Sequence, residues 1–452
     1  MPTKVDCFVI GAGPAGICAA NILSKSGKKT VIVGKTLGGS FCYDGRVVLS
    51  SLLHISSLYD RYKQTMQFLG DTQGTPASID FKRIRKYVDG VISKVCKVFV
   101  EELNENGAEY VEGSAEFTGQ NSVIVNKIDG TSEEYIFDKC ILAVGAAEKK
   151  LNALSGAKAL KISTILNFES IPSSVVIIGG GLVGLETAAF FSRLGSKVTI
   201  IEKNDKILSS FDPQIVKKYE DALKKKNIDV ITSLVVQKIE KIGQKFVIFY
   251  DDGKLESEEV FVCIGKTPVI DGLCLEKAGI VIEDNAPCCD FELKTDNPNI
   301  YLAGDVTGMR MRSGWAFHSA AIAAKNILGK NVKYNPKTAS AVLSVDPEIA
   351  SVGITEEEAK KLGYDCGTIK YTSSDIHKAV LPAAFPLFVK VVYDKESKTF
   401  LGLQAIGRSA IDIASDFSII IQGEITIDKA ADFVCANPLF NEFISELAEK
   451  IK

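Results

Sequence analysis

VDCFVIGAGPAG, Val5 to Gly16, joins an apolar run to a GxGxxG turn. Val5–Ile10 reads as a buried strand, and the Ala-rich stretch that begins within the turn reads as a helix. A second strand is expected over Lys29–Val33, completing a βαβ unit. In that setting the glycines have a physical task. They permit a tight turn and close packing of helix on strand, while the helix N-terminus offers free N–H groups to a pyrophosphate. The same unit recurs over Ser174–Glu202, where VVIIGGGLVG supplies Gly179, Gly181 and Gly184, and KVTIIE supplies the following strand. One such turn is a weak signal; two in matching register point to two dinucleotide sites.

The copies differ at the end of their second strands. Glu202 stands 23 positions after Gly179, where a carboxylate accepts both ribose hydroxyls and favours NAD(H) over NADP(H). The corresponding residue after Gly11 is Gly34, which offers no acceptor, and the adjacent Lys35 is a donor only. One charged hydrogen-bonding group contributes roughly 1.5–3 kcal/mol, so the first site is expected to be weakened by about one to two decades.

At 452 residues the chain is long enough for roughly two to four domains. An apolar share of 46% and 37 glycines suit a turn-rich α/β protein, and a net charge of −3 gives no electrostatic reason for nucleic-acid or membrane binding. The run Lys224–Lys226 reads as a solvated helix face. The longest apolar stretch, Ser173–Ser192, is interrupted by Glu186, so no membrane span is expected; the N-terminus reads as a strand and not as a signal peptide, and the expected location is the cytoplasm. No two of the eleven cysteines have CxxC or CxxxxC spacing, which excludes a local zinc clip or redox pair.

Beyond the fingerprints, Gly38-Gly39, ILAVGA (Ile141–Ala146), FVCIGKTP (Phe261–Pro268), IYLAGDVTG (Ile300–Gly308), DPEIASVGITEEEAKKLG (Asp346–Gly363) and ANPLFNE near the end complete a pattern. Over nearly its whole length the chain resembles the class I pyridine nucleotide-disulfide oxidoreductases, above all those of the dihydrolipoamide dehydrogenase type. The resemblance implies an α/β fold of two Rossmann-like dinucleotide domains and a C-terminal α+β dimerisation domain. The expected boundaries are 1–147 with 266–335 for the FAD-binding and central part, 148–265 for the NAD-binding part, and 336–452 for dimerisation. It implies FAD at Gly11, Gly13, Gly16, Gly38, Gly39, Ser40, Gly145, Gly304 and Asp305, and NADH at Gly179, Gly181, Gly184, Glu186, Glu202 and Gly265. Asp305 has a plainer reading as a turn-capping residue. The helix expected over Trp315–Leu328 and the strand-like PLFVKVVY and FLGLQAI fit the same plan.

The chemistry that the family performs is another matter. Its members carry a CxxxxC pair just after the Gly-Gly; here those positions hold Phe41 and Arg46, and a one-residue slip places Cys42 and Val47 there. The family's catalytic His before a Pro is here Asn437, although its Glu partner persists as Glu442. The three histidines, His54, His318 and His377, lie elsewhere, and losing a positioned base typically costs ~10²–10⁴-fold in rate. The Lys that the family pairs with the helix Glu is here Ser50. Arg46 is a candidate partner for Glu186 in its place, or a surface cation at a helix start.

Three function classes follow. The first is an NADH-dependent FAD oxidoreductase that passes electrons directly to a small-molecule or quinone-type acceptor, an arrangement with precedent in the superfamily's soluble transhydrogenases. Reduction of disulfides by the family mechanism is expected to be absent or very low. The second makes Cys42 a lone redox thiol, as in single-cysteine NADH oxidases, peroxidases and coenzyme A disulfide reductases, which requires a lowered thiol pKa. The third is a non-catalytic relative kept for binding, for example on a 2-oxoacid dehydrogenase complex. By the same resemblance the chain forms a homodimer, and no metal site is expected.

Overall fold

The core of the N-terminal half is organised by β1 (Thr3–Ile10), whose Cys7–Ile10 segment is buried on both faces. The computed structural model describes residues 1–70, 79–151, 161–251, 253–309, 311–335, 338, 340–375, 386–434 and 440–450. β1 pairs in parallel with β2 (Thr30–Gly34) on one side and the end of β5 (Ser132–Leu142) on the other. The sheet extends through β3 (Glu109–Gly119) beyond β2 and through the strand Ile300–Leu302 beyond β5. The remaining halves of β3 and β5 join β4 (Ser122–Lys127) in an antiparallel meander. Alternation over Cys7–Ile10 divides the core: Cys7 and Val9 meet the helical layer, while Phe8 and Ile10 join Phe117, Val125 and Phe137 of the meander.

The helical layer contains α1 (Pro14–Lys25), α2 (Gly39–Tyr43), α3 (Arg46–Phe68), α4 (Phe81–Asn106) and, from far along the chain, α7 (Ser313–Ile327), which packs beside α1. α1 starts with Pro14, whose missing N–H is not needed in a first turn. α4 is capped by the Asp80 carboxylate, which accepts from the N–H groups of Lys82 and Arg83, and it ends at Gly107 with φ 75°.

The second unit repeats the plan. The strand Ser174–Ile178 leads to α5 (Leu182–Arg193), the strand Lys197–Ile201, α6 (Pro213–Lys224) and the strand Ile228–Ile231. With Glu259–Val262 on the other edge, these form a four-stranded parallel sheet. The C-terminal unit is a five-stranded antiparallel sheet covered by the apolar helix Ala410–Gln422.

A buried cation fastens the second unit to the third. Lys390, in the strand Phe388–Asp394, donates to Asp212 at 2.7 Å and pairs with Glu356 at 2.8 Å. Asp212 also caps α6, its other oxygen accepting from Gln214 N–H at 2.8 Å. Burial alone would lower the Lys390 pKa, but the hydrogen bonds to Asp212 and Glu356 prevail and raise it. Nearby, Lys226 pairs with Asp346 at 3.0 Å. This corrects the expectation that the whole lysine run is a solvated face: the third lysine has an acidic partner 120 residues away.

Candidate functional site between two dinucleotide folds

The two glycine turns are near copies in space. Gly11 (φ 113°) and Gly179 (φ 110°) hold backbone angles that L side chains rarely adopt, and a Cβ on either would overlap the carbonyl of Ala143 or Cys263. A Cβ on Gly16 or Gly184 would overlap the Gly11 or Gly179 carbonyl, so these glycines set how closely each helix sits on its turn. Gly13 and Gly181 differ in having open space where a Cβ would be. Both line one cleft of about 1690 Å³ that runs between the folds, at the N-termini of α1 and α5. The free N–H groups of a first helical turn favour anions there.

The expected FAD residues Gly39, Ser40, Gly145, Gly304 and Asp305 lie on the cleft wall, as do the expected NADH residues Glu186, Glu202 and Gly265. Gly16, Gly38 and Gly184 lie behind it. A Cβ on Gly38 would meet the Cys42 sulfur at 2.5 Å. Asp305 pairs with Lys266 at 3.4 Å, a contact that the FVCIGKTP segment contained but that pattern reading did not single out.

The ribose ends separate the two copies. Glu202 is buried, with Oε2 accepting from Gly180 N–H at 2.8 Å and Oε1 from Asn204 N–H at 2.9 Å. A carboxylate has about four lone-pair positions, so two remain for ribose hydroxyls. At the corresponding place in the first fold, a Cβ on Gly34 would lie 2.6 Å from Ala12 Cβ and 2.7 Å from Ala12 N. The Gly34 carbonyl accepts from Tyr110 Oη at 3.0 Å, and Lys35 is exposed on the cleft wall. A dinucleotide's pyrophosphate therefore fits both turns, whereas the ribose clamp fits the second only.

The positions of the absent thiols lie between the two turns. Phe41 lines the cleft and meets Phe317 edge-on at 6.4 Å between ring centres. Arg46, the first residue of α3, donates through Nη1 to both oxygens of Glu186 at 2.8 and 3.0 Å. Glu186 projects from α5 with only 3% of its side chain exposed, and it also accepts from Ser344 N–H at 3.3 Å. One carboxylate thus ties together the first fold, the second fold and the C-terminal unit. Ser50 follows Arg46 by one turn of α3, on the same side of the helix. Beside this pair, Asp44 accepts from Lys161 Nζ at 3.0 Å and from Ser163 N–H at 3.2 Å, and raises the Lys161 pKa. Burial, reinforced by Asp44, raises the Glu148 carboxyl pKa.

Cys42 requires a correction. Its side chain has no exposure and lies off the cleft wall, beside Cys96 of α4. Burial, with a contribution from Cys96, pushes its thiol up to about 12. A lone redox cysteine needs the opposite, a stabilised and reachable thiolate. Asn437 lies outside the described residues. Glu442 opens the short helical turn Glu442–Glu446 in the C-terminal unit and does not line this cleft. Among the described residues there is no cluster of three metal-binding side chains, and no helix long and apolar enough to cross a membrane.

Two dinucleotide folds sharing one cleft, joined to a separate antiparallel unit, define a two-nucleotide oxidoreductase scaffold. Residues 5–324 match the family model described as pyridine nucleotide-disulphide oxidoreductase, and residues 339–448 match the dimerisation domain of the same family. The chain belongs to that family. A dihydrolipoyl dehydrogenase of Bacillus subtilis is 30% identical over 459 residues, covering 99% of this chain and 96% of the relative. One from Geobacillus stearothermophilus is 30% identical over 453 residues, with coverage of 99% and 96%. Among solved structures, LpdA from Mycobacterium tuberculosis superposes with a TM-score of 0.91 at 22% identity, covering 99% of this chain and 100% of that one. The HOCl-induced flavoprotein disulfide reductase RclA from Escherichia coli gives 0.85 at 21%, with the same coverage. Both likenesses are of fold.

Proposed function

We propose that the protein is an NADH-dependent flavin oxidoreductase that works without a dithiol relay, passing electrons from NADH through FAD directly to a non-disulfide acceptor such as a quinone. The observation that carries this reading is the Arg46–Glu186 pair. The residue in the second thiol position is a cation held at 2.8 Å by a buried carboxylate of the nicotinamide-side helix. The relay position has therefore been rebuilt as part of the scaffold, while the groups expected to hold NADH remain.

Bound flavin supplies a two-electron carrier that accepts hydride from a dihydronicotinamide. The chain's own contribution is positioning. Gly13 and Gly181 leave room for pyrophosphates at two helix N-termini, and Glu202 presents acceptors to the nicotinamide dinucleotide's ribose. Arg46 keeps the Glu186 carboxylate compensated in a place where an unpaired charge would cost several kcal/mol. Holding donor and acceptor rings together is the larger part of what hydride transfer needs. Disulfide substrates are excluded on this reading because Phe41 and Arg46 carry no thiol and Cys42 points into the core. The match of residues 339–448 to the family's dimerisation domain supports a homodimer.

A chain kept only as a binding partner would also tolerate the closed ribose end at Gly34. Anaerobic addition of NADH to the protein supplied with FAD separates the readings. Bleaching of the oxidised-flavin absorbance faster than in a protein-free control supports the oxidoreductase, and an unchanged spectrum favours the binding partner.

A further inference from the structure

The first fold lacks more than a carboxylate at its ribose end. In the second fold Gly180 contributes no side chain, and Glu202 fits against it with its carboxylate on the Gly180 N–H at 2.8 Å. In the first fold the corresponding loop residue is Ala12, whose backbone N and Cβ crowd the place a side chain on Gly34 would occupy, at 2.7 and 2.6 Å. The loop is held by Gly38 N–H donating to the Ala12 carbonyl at 2.8 Å, and the strand end by Tyr110. Strand and loop have closed over the space. Lys35 cannot substitute, because an ammonium accepts no hydroxyl proton. The pyrophosphate end, by contrast, is open at Gly13. The thiols beside it, Cys42 and Cys96, do not line the cleft, and Cys42 is buried.

We propose that the first fold takes its flavin dinucleotide as an exchangeable substrate and not as a resident group, so that the reduced flavin itself is the product that carries electrons away. The proposal rests on the reading above that NADH reduces flavin in this cleft, and it replaces direct transfer to an acceptor at the protein by release of the reduced flavin. In the step, the nicotinamide C4–H bond breaks and its hydride goes to flavin N5, while a solvent proton goes to N1. NADH is oxidised to NAD⁺, FAD is reduced to its dihydro form, and both leave. A site that keeps the pyrophosphate contacts but lacks the ribose carboxylate binds about 10–100-fold more weakly, which favours release.

The test is equilibrium dialysis of the full chain saturated with FAD, with and without anaerobic NADH, followed by spectra of both compartments. The expected result is flavin distributed freely across the membrane, and dihydroflavin outside when NADH is present. Flavin that stays with the chain through exhaustive dialysis yet bleaches with NADH overturns this proposal and leaves the oxidoreductase reading standing. Flavin that exchanges but is never reduced overturns both.

Discussion

Replacing Arg46 by Met removes the cation that compensates Glu186. The two groups meet at 2.8 Å, with side-chain exposures of 35% for Arg46 and 3% for Glu186. At an effective dielectric near 20 the gross attraction is about 6 kcal/mol, much of it offset by desolvation of the carboxylate. Breaking a fully buried pair costs about 3–5 kcal/mol, and the partial exposure of Arg46 reduces this to an expected loss of about 2–3 kcal/mol for Arg46→Met. Glu186→Gln should cost less, about 1 kcal/mol, because the guanidinium is free to turn toward solvent. The double variant should be more stable than the sum of the two losses predicts, with a coupling of about 1–2 kcal/mol. Urea unfolding followed by circular dichroism, on all four members of the cycle under identical salt, measures this. Additivity within about 0.5 kcal/mol would refute the reasoning and return Arg46 to the status of a surface cation.

Three other outcomes are expected. Lys390→Met strands the buried Asp212 carboxylate and should lower stability by about 3–5 kcal/mol, read as an earlier first thermal transition; Asp212→Asn combined with it should recover part of the loss. Glu356 has its pKa pulled down to about 2 by Lys360 and then Lys390. Its stabilisation is therefore complete above the ordinary carboxylate range and lost as pH falls toward 2, and the Tm of Lys390→Met should fall less steeply than that of the unaltered protein below about pH 5. With its thiol near 12, Cys42 is ionised at pH 7 to on the order of one part in 10⁵. Mass spectrometry after brief iodoacetamide treatment of the folded protein should find it unmodified, and rapid labelling there would contradict the burial argument.

Much of this architecture is legible in the sequence because it rests on local chemistry. Two GxGxxG turns between apolar strands leave few alternatives, and the turns coincide in geometry down to the φ angles of Gly11 and Gly179. The absence of thiols at Phe41 and Arg46 is likewise a matter of residue type. What pattern reading does not reach is orientation and long-range partnership. α2 is five residues long, and each residue turns by about 100°, so residue types alone do not say whether Phe41 or Cys42 faces the cleft. Lys390 sits in an alternating strand where a lysine reads as solvent-facing, but α6 and the Glu356 helix cover it from distant segments. At Gly34 the missing carboxylate is visible in the sequence, whereas the closure of strand upon loop is a property of the fold.

Counting electrons tests the loss of the dithiol relay. Protein with FAD bound in excess of its Kd is titrated with NADH under argon, and the uptake is compared with the flavin content of the cell. Without a relay, the uptake ends at one electron pair per flavin and no new thiols become reactive. A second pair taken up per chain, accompanied by two newly alkylated cysteines, would show that a dithiol such as Cys42 and Cys96 takes part after all, and would contradict the reading of this site.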